Sequence, residues 1–368
     1  MSKAHRVSLQ QFLAYCVQHN LPVAIYRLPG TKAIKVVAQH NSNLLKVNLT
    51  RHAQKAGFLF APFTQTPNAH SVLIRPDIYC TAASLPRLNF APAVQAKFAA
   101  LVPKLKNTDR RQYEGLVKNI KQFIASGKAR KVIAARVLTM PRPAGFNEFK
   151  LFTALCNTYA HAFVSLVFTP QYGLWVGASP EVLLTAANNR FTTYSLAGTK
   201  ANTPANLKAG WGGKEVEEQA IVSRYIGQSV AKVIKQPAVV KGPVTTTAGN
   251  LLHLLTTFTY NNVPADSWPQ MVKALHPTPA VAGLPQRTAI QFITKAEPNP
   301  RSFYSGYLGP VNLGGRINLF VNLRCMQVFK NKLAIYVGCG ITADSEPAKE
   351  WNETGIKSQT LLNVIAGI

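Results

Sequence analysis

Apolar and polar positions along this chain follow two periods, and the switches between them mark its elements. Residues 8–15, SLQQFLAY, have the spacing of an amphipathic helix. Val23–Arg27 and residues 34–39 are strand-length apolar runs joined by a turn at Pro29 and Gly30, and 44–49, 58–62 and 71–75 repeat that short-strand pattern. Residues 86–92 read as a connector and 94–105 as helical. Asp109 is placed to cap a helix whose Tyr113, Leu116, Ile120 and Phe123 form an apolar stripe ending at Gly127. A strand at 131–138 and a helix at 148–161, behind a cap at Asn147, come next. Runs at 163–168, 172–176, 182–186 and 191–196 then make a strand meander, with Asn188 and Asn189 at one turn. Residues 214–233, 250–260 and 286–295 read as helices. Strands at 303–308, 316–325 and 333–337 precede a closing helix. Antiparallel meanders separated by blocks of helix predict an α+β fold, not a doubly wound parallel sheet. No repeat or clean boundary divides the chain. The expectation is a single domain over 1–368, with 1–90 as an N-terminal lobe beside a core of 91–368.

Composition changes this picture in two ways. Of the 368 residues 47% are hydrophobic, enough for a sizeable core, yet the longest apolar runs are strand-length and far short of a membrane span. The N-terminal helix lacks the unbroken apolar core of a signal sequence. Five cysteines with no C-x-x-C pair fit a reduced, cytoplasmic protein. The charge is more informative: 41 Lys and Arg face 14 Asp and Glu, a net of +27. That surplus suits a nucleic-acid binder, and it equally suits an enzyme drawing in a small anionic substrate. The basic residues form no block and no aromatic-interleaved repeat, and charge alone leaves the choice between the two open.

The scarce acids are clustered. Asp344, Glu346, Glu350 and Glu353 fall within ten residues of the stretch 338–357, GCGITADSEPAKEWNETGIK. Gly338 and Gly340 would let the preceding strand bend and bring N–H groups to a ligand. Asp344 or Ser345 would cap the helix, with Pro347 in its first turn. On that helix Glu350, Glu353 and Lys357 share a face. Two carboxylates about 4 Å apart repel by roughly 4 kcal/mol at a surface-like dielectric, so a cation between them is one reading. A solvated first turn favoured by the helix dipole is the other. Glu215 and Glu218 form a second such pair in KEVEEQAIVSRY, 214–225, with the same two readings. In GASPEVLL, 177–184, Glu181 follows a tight turn at a sheet edge, either a firmly held general acid or a polar strand start. YSLAGTK, 194–200, ends a strand in a glycine whose following N–H groups could hold an anion. His253 lies in the apolar run LLHLLTT, where a buried, satisfied histidine is the plainer reading. LHPTPAVAG, 275–283, makes a rigid loop, EPNPRSFYSGYLG, 297–309, places Arg301 and Tyr304 before strand glycines, and Arg324 ends a strand where its fork could hold a carboxylate.

Taken in order, these segments resemble the chorismate-utilising enzymes: isochorismate and salicylate synthases and the synthase subunits of anthranilate and aminodeoxychorismate formation. GKARKVIAAR, GASPEVLL, SLAGT, the Glu215–Glu218 helix, LLHLLT, LHPTPAVAG, the Arg301–Tyr304 segment, the Arg324 strand, GCGI and EWNETGIK recur in sequence from about 127 to 362. The resemblance implies a fold of two face-to-face antiparallel sheets with helices outside. It implies Mg²⁺ held by Glu218 and Glu353, with Glu350 bonding a metal water. It makes Lys131 the base that activates water and Glu181 the acid that protonates the departing hydroxyl. The substrate-binding set would be Ala197, Gly198, Thr199, His253, Ala280, Tyr304, Arg324, Gly338, Gly340 and Lys357.

The chemistry is consistent with that assignment. Chorismate carries two carboxylates, one for Mg²⁺ and one for an arginine, and its hydroxyl leaves only if protonated by a carboxyl with a raised pKa. Relatives that form aminodeoxychorismate have a nucleophilic lysine where this chain has Ala197, which points to water as the nucleophile and to isochorismate synthase. The amine-forming R-N-D sequence is likewise absent, Ser223-Arg224-Tyr225-Ile226 standing in its place. Gln219 replaces a histidine often found after the first metal carboxylate, and Ile221 replaces a further acid of the siderophore-type synthases. The expected activity is reversible, Mg²⁺-dependent conversion of chorismate to isochorismate by water addition at C2 and loss of the C4 hydroxyl, in menaquinone biosynthesis, by a monomer or weak homodimer. Siderophore or salicylate formation is the alternative pathway, a salicylate synthase the alternative activity, and a basic nucleic-acid-binding protein the alternative class.

Overall fold

The computed structural model describes residues 7–86, 105–248 and 251–368. The expected helix at 94–105 and most of the connector at 86–92 lie outside them. Eighteen strands form two nine-stranded sheets, and every described pairing between strands is antiparallel. From edge to edge, sheet one runs β14 (Gly283–Leu284), β7 (Lys131–Pro141), β18 (Lys332–Ile341), β17 (Cys325–Val328), β9 (Gly173–Ser179), β8 (Phe163–Thr169), β1 (Val23–Arg27), β2 (Ile34–Ala38) and β6 (Ile78–Thr81). Sheet two runs β12 (Val239–Ala248), β13 (Leu251–Tyr260), β11 (Arg190–Ala201), β10 (Val182–Ala187), β16 (Arg316–Val321), β15 (Tyr307–Val311), β4 (Gly57–Ala61), β5 (Val72–Ile74) and β3 (Leu45–Lys46). The helices are α1 (Leu9–Gln18), α2 (Arg110–Ala125), α3 (Glu148–Thr158), α4 (Pro204–Lys208), α5 (Gly213–Ala231), α6 (Trp268–Leu275), α7 (Gln286–Ala296) and α8 (Pro347–Ala366).

The sheets pack face to face. Tyr26, Phe58, Phe60, Phe163, Trp175, Phe303, Phe320 and Tyr336 fill the space between them, with Phe163 and Phe320 stacked at 4.1 Å across the interface. Outside sheet one lie α1, α3 and the C-terminal half of α8, through Phe12, Phe152, Leu361 and Ile365. Outside sheet two lie α5 and α6, through Val222, Ile226, Trp268 and Met271. Helices α2 and α7 cover β7 and β18 at one end. With both faces covered, β8 is buried at all seven positions, which is why it reads as an unbroken apolar run rather than an alternating one. The expected α+β sandwich with outer helices is the fold observed. Strands from the first 81 residues complete both sheets: β1, β2 and β6 in one, β3, β4 and β5 in the other. No described helix is long and apolar enough to cross a membrane.

Local signals placed several elements well. Ser8 and Gln11 form a reciprocal capping box at α1, and Asp109 and Gln112 form another at α2. Other expectations fail. Residues 251–260 form strand β13, not a helix, because β11 and β12 pair with it on either side. The cap of α8 is Glu346, without a side-chain bond, rather than Asp344 or Ser345; the Ser345 hydroxyl instead accepts from the Thr342 N–H at 3.1 Å. The meander at 163–196 divides between the sheets, since β8 and β9 belong to sheet one while β10 and β11 belong to sheet two.

Candidate active site

That division creates the site. The chain crosses from sheet one to sheet two at Ser179–Pro180–Glu181, and crosses back between β16 and β17 at Asn322–Leu323–Arg324. The crossings lie side by side: the Val321 N–H donates to Glu181 O at 2.9 Å and the Ala178 N–H to Arg324 O at 3.1 Å. Arg324 adopts φ 48°, a left-handed conformation costly for a residue with a Cβ and held here by the crossing. Glu181 therefore sits between sheets rather than at a sheet edge. Arg324 follows the strand rather than ending it.

Beside the crossings lies a cavity of about 530 Å³. All fifteen candidate residues line it: Lys131, Glu181, Ala197, Gly198, Thr199, Glu218, His253, Ala280, Tyr304, Arg324, Gly338, Gly340, Glu350, Glu353 and Lys357. Lys131, 1% exposed, enters from the first position of β7. Its Nζ meets Glu218 Oε1 of α5 at 2.6 Å. On α8, Lys357 Nζ meets Glu353 Oε1 at 2.6 Å and donates to Gly338 O at 3.2 Å. Burial works against the Lys357 charge, but Glu353 and Cys339 together outweigh it and the ammonium is held charged. Arg324 Nη1 donates to Lys357 O at 3.2 Å.

The glycines serve a purpose other than bending. Gly338 and Gly340 are extended residues inside β18, paired with Ala135 and Ile133 of β7. A Cβ at Gly340 would stand 2.6 Å from Lys131 Cε, and one at Gly338 would stand 2.9 Å from the Tyr304 hydroxyl. Their missing side chains are the space through which Lys131 and Tyr304 reach the cavity. Gly198 does bend its strand. With φ +68° it lies where the pairing of β11 with β13 slips between Ala197 and Lys200, and a Cβ there would meet Glu215 Cβ at 3.2 Å. This bulge lets α5 approach and exposes residues 197–199 to the cavity.

Burial separates the titrations. Desolvation raises the Glu181 carboxyl to about 7, although Lys131, Arg324 and Lys357 all pull it down. It is therefore protonated in part near neutrality, as a proton donor requires. Burial lowers His253 to about 4, so its ring is neutral. The Gly198 carbonyl lies 2.8 Å from Nδ1, which must then carry the proton, and Nε2 is left as an acceptor with no partner. His253 is thus not the fully satisfied core histidine of the plainer reading.

Several residues that hold the site gave only weak signals in the sequence. Arg136 interrupts the apolar strand β7; its guanidinium stacks 3.8 Å from the Trp351 ring, and Nε donates to Thr354 Oγ1 at 2.8 Å. This ties the strand of Lys131 to the turn bearing Glu350 and Glu353. Arg301 forms a buried pair with Glu297 and donates to Val281 O and Ile133 O, while Glu297 accepts from the Ala135 N–H at 2.9 Å. Gln219 donates to Ser195 O and Thr256 Oγ1, seating α5 on β11 and β13. For Arg136 a charge inside an apolar run was the available signal, Arg301 and Gln219 stand among polar neighbours, and the partners of all three could not be read from the sequence.

For a metal, the candidate donors are the carboxylates of Glu218, Glu350 and Glu353, brought to one cavity by α5 and α8. Among the described residues no three His, Cys, Asp or Glu side chains converge into a cage of their own. Hard carboxylate oxygens from two elements are nonetheless the donor set of a Mg²⁺ that keeps waters and completes its shell with substrate.

Two facing antiparallel sheets, with an acid and an arginine at their crossings and a lysine and three helix carboxylates lining the same cavity, define an enzyme cavity for a small anion. The model of the chorismate binding enzyme family matches residues 31–366, and the chain belongs to that family. It is similar to isochorismate synthase EntC of Escherichia coli (strain K12), 28% identical over 259 residues, 68% of this chain and 66% of the relative's length. It is also similar to isochorismate synthase MenF of the same strain, 26% identical over 369 residues, 97% of this chain and 81% of the relative. The solved structure of MenF, the menaquinone-specific isochorismate synthase from Escherichia coli, superposes with a TM-score of 0.79 at 22% identity, over 98% of this chain and 92% of that one.

Proposed function

We propose that this chain is an isochorismate synthase, adding water at C2 of chorismate and removing the C4 hydroxyl in a reversible, Mg²⁺-dependent reaction. One observation carries the reading: Lys131 of sheet one and Glu181 of the crossing between sheets line the same cavity, and burial has made the carboxyl a proton donor near neutrality. Water enters one ring carbon as hydroxide departs another, so a base and an acid must flank the ring. Lys131 takes the proton from water and Glu181 delivers one to the leaving hydroxyl; in reverse they exchange roles. Lys131 can accept that proton only as the neutral amine, after its nitrogen has given up the proton it shares with Glu218. Arg324 and Lys357 neutralise one substrate carboxylate, and Arg324 can do so through a two-point fork. Glu218 and Glu353 would hold Mg²⁺, with Glu350 bonding a metal water, and when bound the ion neutralises the other carboxylate. The His253 Nε2 lone pair accepts from a substrate hydroxyl. Ala197 offers no amine where an aminating relative has its nucleophile, which leaves the reaction to water.

Menaquinone biosynthesis is the pathway we infer, supported by a relative of that specificity that aligns along 97% of the chain, against 68% for EntC. The test is product analysis after incubation with chorismate and Mg²⁺, with and without ammonia. Isochorismate in both is expected. An amine formed only with ammonia, or pyruvate released with salicylate, would overturn the assignment.

A further inference from the structure

A second cleft, of about 640 Å³, adjoins the first. Tyr159, His161, Val182, Tyr194, Thr247 and Thr360 face it, and Pro180, Leu196 and Arg324 line both cavities. Its wall is built rather than incidental. Arg27, 4% exposed, donates to Tyr159 O at 2.5 Å, Ala160 O at 2.6 Å and Ala162 O at 2.9 Å. A guanidinium buried this way fixes the loop at 159–162, and the Tyr159 hydroxyl joins that loop to α8 through Thr360 O at 3.0 Å. Among the described residues the lining contains hydroxyls, apolar side chains, the Asn202 amide and the two basic residues Arg324 and His161, and no Asp or Glu.

Arg324 stands in the partition. Its Nη1 bond to Lys357 O uses one of five N–H donors. A planar guanidinium presents more than one edge to carboxylates, and Arg324 lines both cavities. We propose that the second cleft is a binding site for a small ring-bearing carboxylic acid, its carboxylate on Arg324 and its ring against Pro180, Val182, Leu196 and Tyr194. The proposal rests on the reading that Arg324 also holds a carboxylate of the substrate. Two anions then share one cation, so each weakens the other.

Benzoate labelled with ¹³C at its carboxylate is the probe, titrated into the full chain by NMR with and without chorismate. Thr247→Trp places a large side chain at a position of β12 that lines the second cleft and not the substrate cavity. Wild type should bind benzoate saturably, and saturation should raise KM for chorismate on the order of tenfold with kcat unchanged, chorismate weakening benzoate by the same factor. Thr247→Trp should lose benzoate binding while its own kcat/KM stays within about twofold of wild type, as for a surface change away from the chemistry. Equal benzoate binding by Thr247→Trp, or no saturable binding by wild type, overturns the proposal. Binding is read directly, so these outcomes hold whether or not the chain forms isochorismate.

Discussion

The two helices that bring carboxylates to the cavity are held in different ways. Helix α8 is tied to the strands beneath it by polar contacts along its first three turns: Arg136 on Trp351 and Thr354, Arg324 on Lys357 O, and Lys357 on Gly338 O. Glu350, Thr354 and Ser358 on it are buried. Helix α5 starts at Gly212, which supplies no side-chain cap, and packs over β11 and β13 near the open edge of sheet two. Its buried Gln219 makes two bonds, but Gln219 Oε1 and Ser195 Oγ have no partner. The lower strands of that edge are exposed as well, with Val239, Val240 and Val244 of β12 each about half accessible. The proposed reacting groups follow this division. Lys131 belongs to the tied half, and the Lys131–Glu218 pair is its bridge to the other. The proposed mechanism releases that pair on each turnover, which calls for one rigid wall and one that can yield.

The sharpest break of this arrangement is at the reacting pair. Lys131→Ala should abolish conversion in both directions, and Glu181→Gln should cost about 10²–10⁴-fold in kcat, the range for a positioned acid or base. Chorismate-to-isochorismate assays of the two variants check this; rates within threefold (roughly 0.65 kcal/mol) of wild type would reduce both residues to structural roles. Metal dependence comes next. Glu353→Gln should remove Mg²⁺-dependent turnover while thermal unfolding stays near wild type, and activity at ordinary Mg²⁺ would refute its role as a donor.

Arg136→Met compares the walls directly. Loss of the stacking and of the Thr354 bond should cost about 2–3 kcal/mol of stability and raise the Mg²⁺ concentration for half activity, because Glu350 and Glu353 lose their tie to β7. Gln219→Leu on the other wall should cost about 1–2 kcal/mol with the Mg²⁺ requirement nearly unchanged. Denaturant melts and Mg²⁺ titrations of both variants decide it, and equal shifts in Mg²⁺ requirement would erase the distinction between the walls.

The pH profile follows from Glu181. Its folded pKa lies above that of a free carboxyl, so the proton donor is present below about 7 and is lost as pH rises through that value. The forward kcat/KM should fall on that alkaline limb, and Glu181→Gln should lack the limb. The smallest effect concerns the +27 charge. If it steers a dianion, kcat/KM should decline with ionic strength while kcat stays flat, as a salt series would show.

Much of the fold was legible because its signals are local. The caps at Asp109 and Asn147 each bond a backbone N–H three residues ahead, and the sequence displays both ends of such a bond. Residues 251–260 show the limit. LLHLLTTFTY opens on an apolar run broken by one histidine, which suits a buried helix or a covered strand equally; its neighbours β11 and β12 decided the matter. Strand β12 itself was missed, since its glycine, proline and threonines carry no alternation. The candidate site was legible as residue types in a recurring order, and all fifteen residues line one cavity.

The amino-acid sequence by itself determined the caps, the apolar faces, the scarcity of acids and the presence of Lys131, Glu181, Arg324 and three helix carboxylates. Only the tertiary structure decided that Glu181 and Arg324 lie on adjacent crossings between sheets, that Gly340 is empty to admit Lys131, and that Lys131 and Glu218, 87 positions apart, meet at 2.6 Å. The physical reason is range. Capping and amphipathic periodicity act over one or two helical turns, whereas desolvation, ion pairing and the close approach of strands depend on which distant segments the closed sandwich makes neighbours.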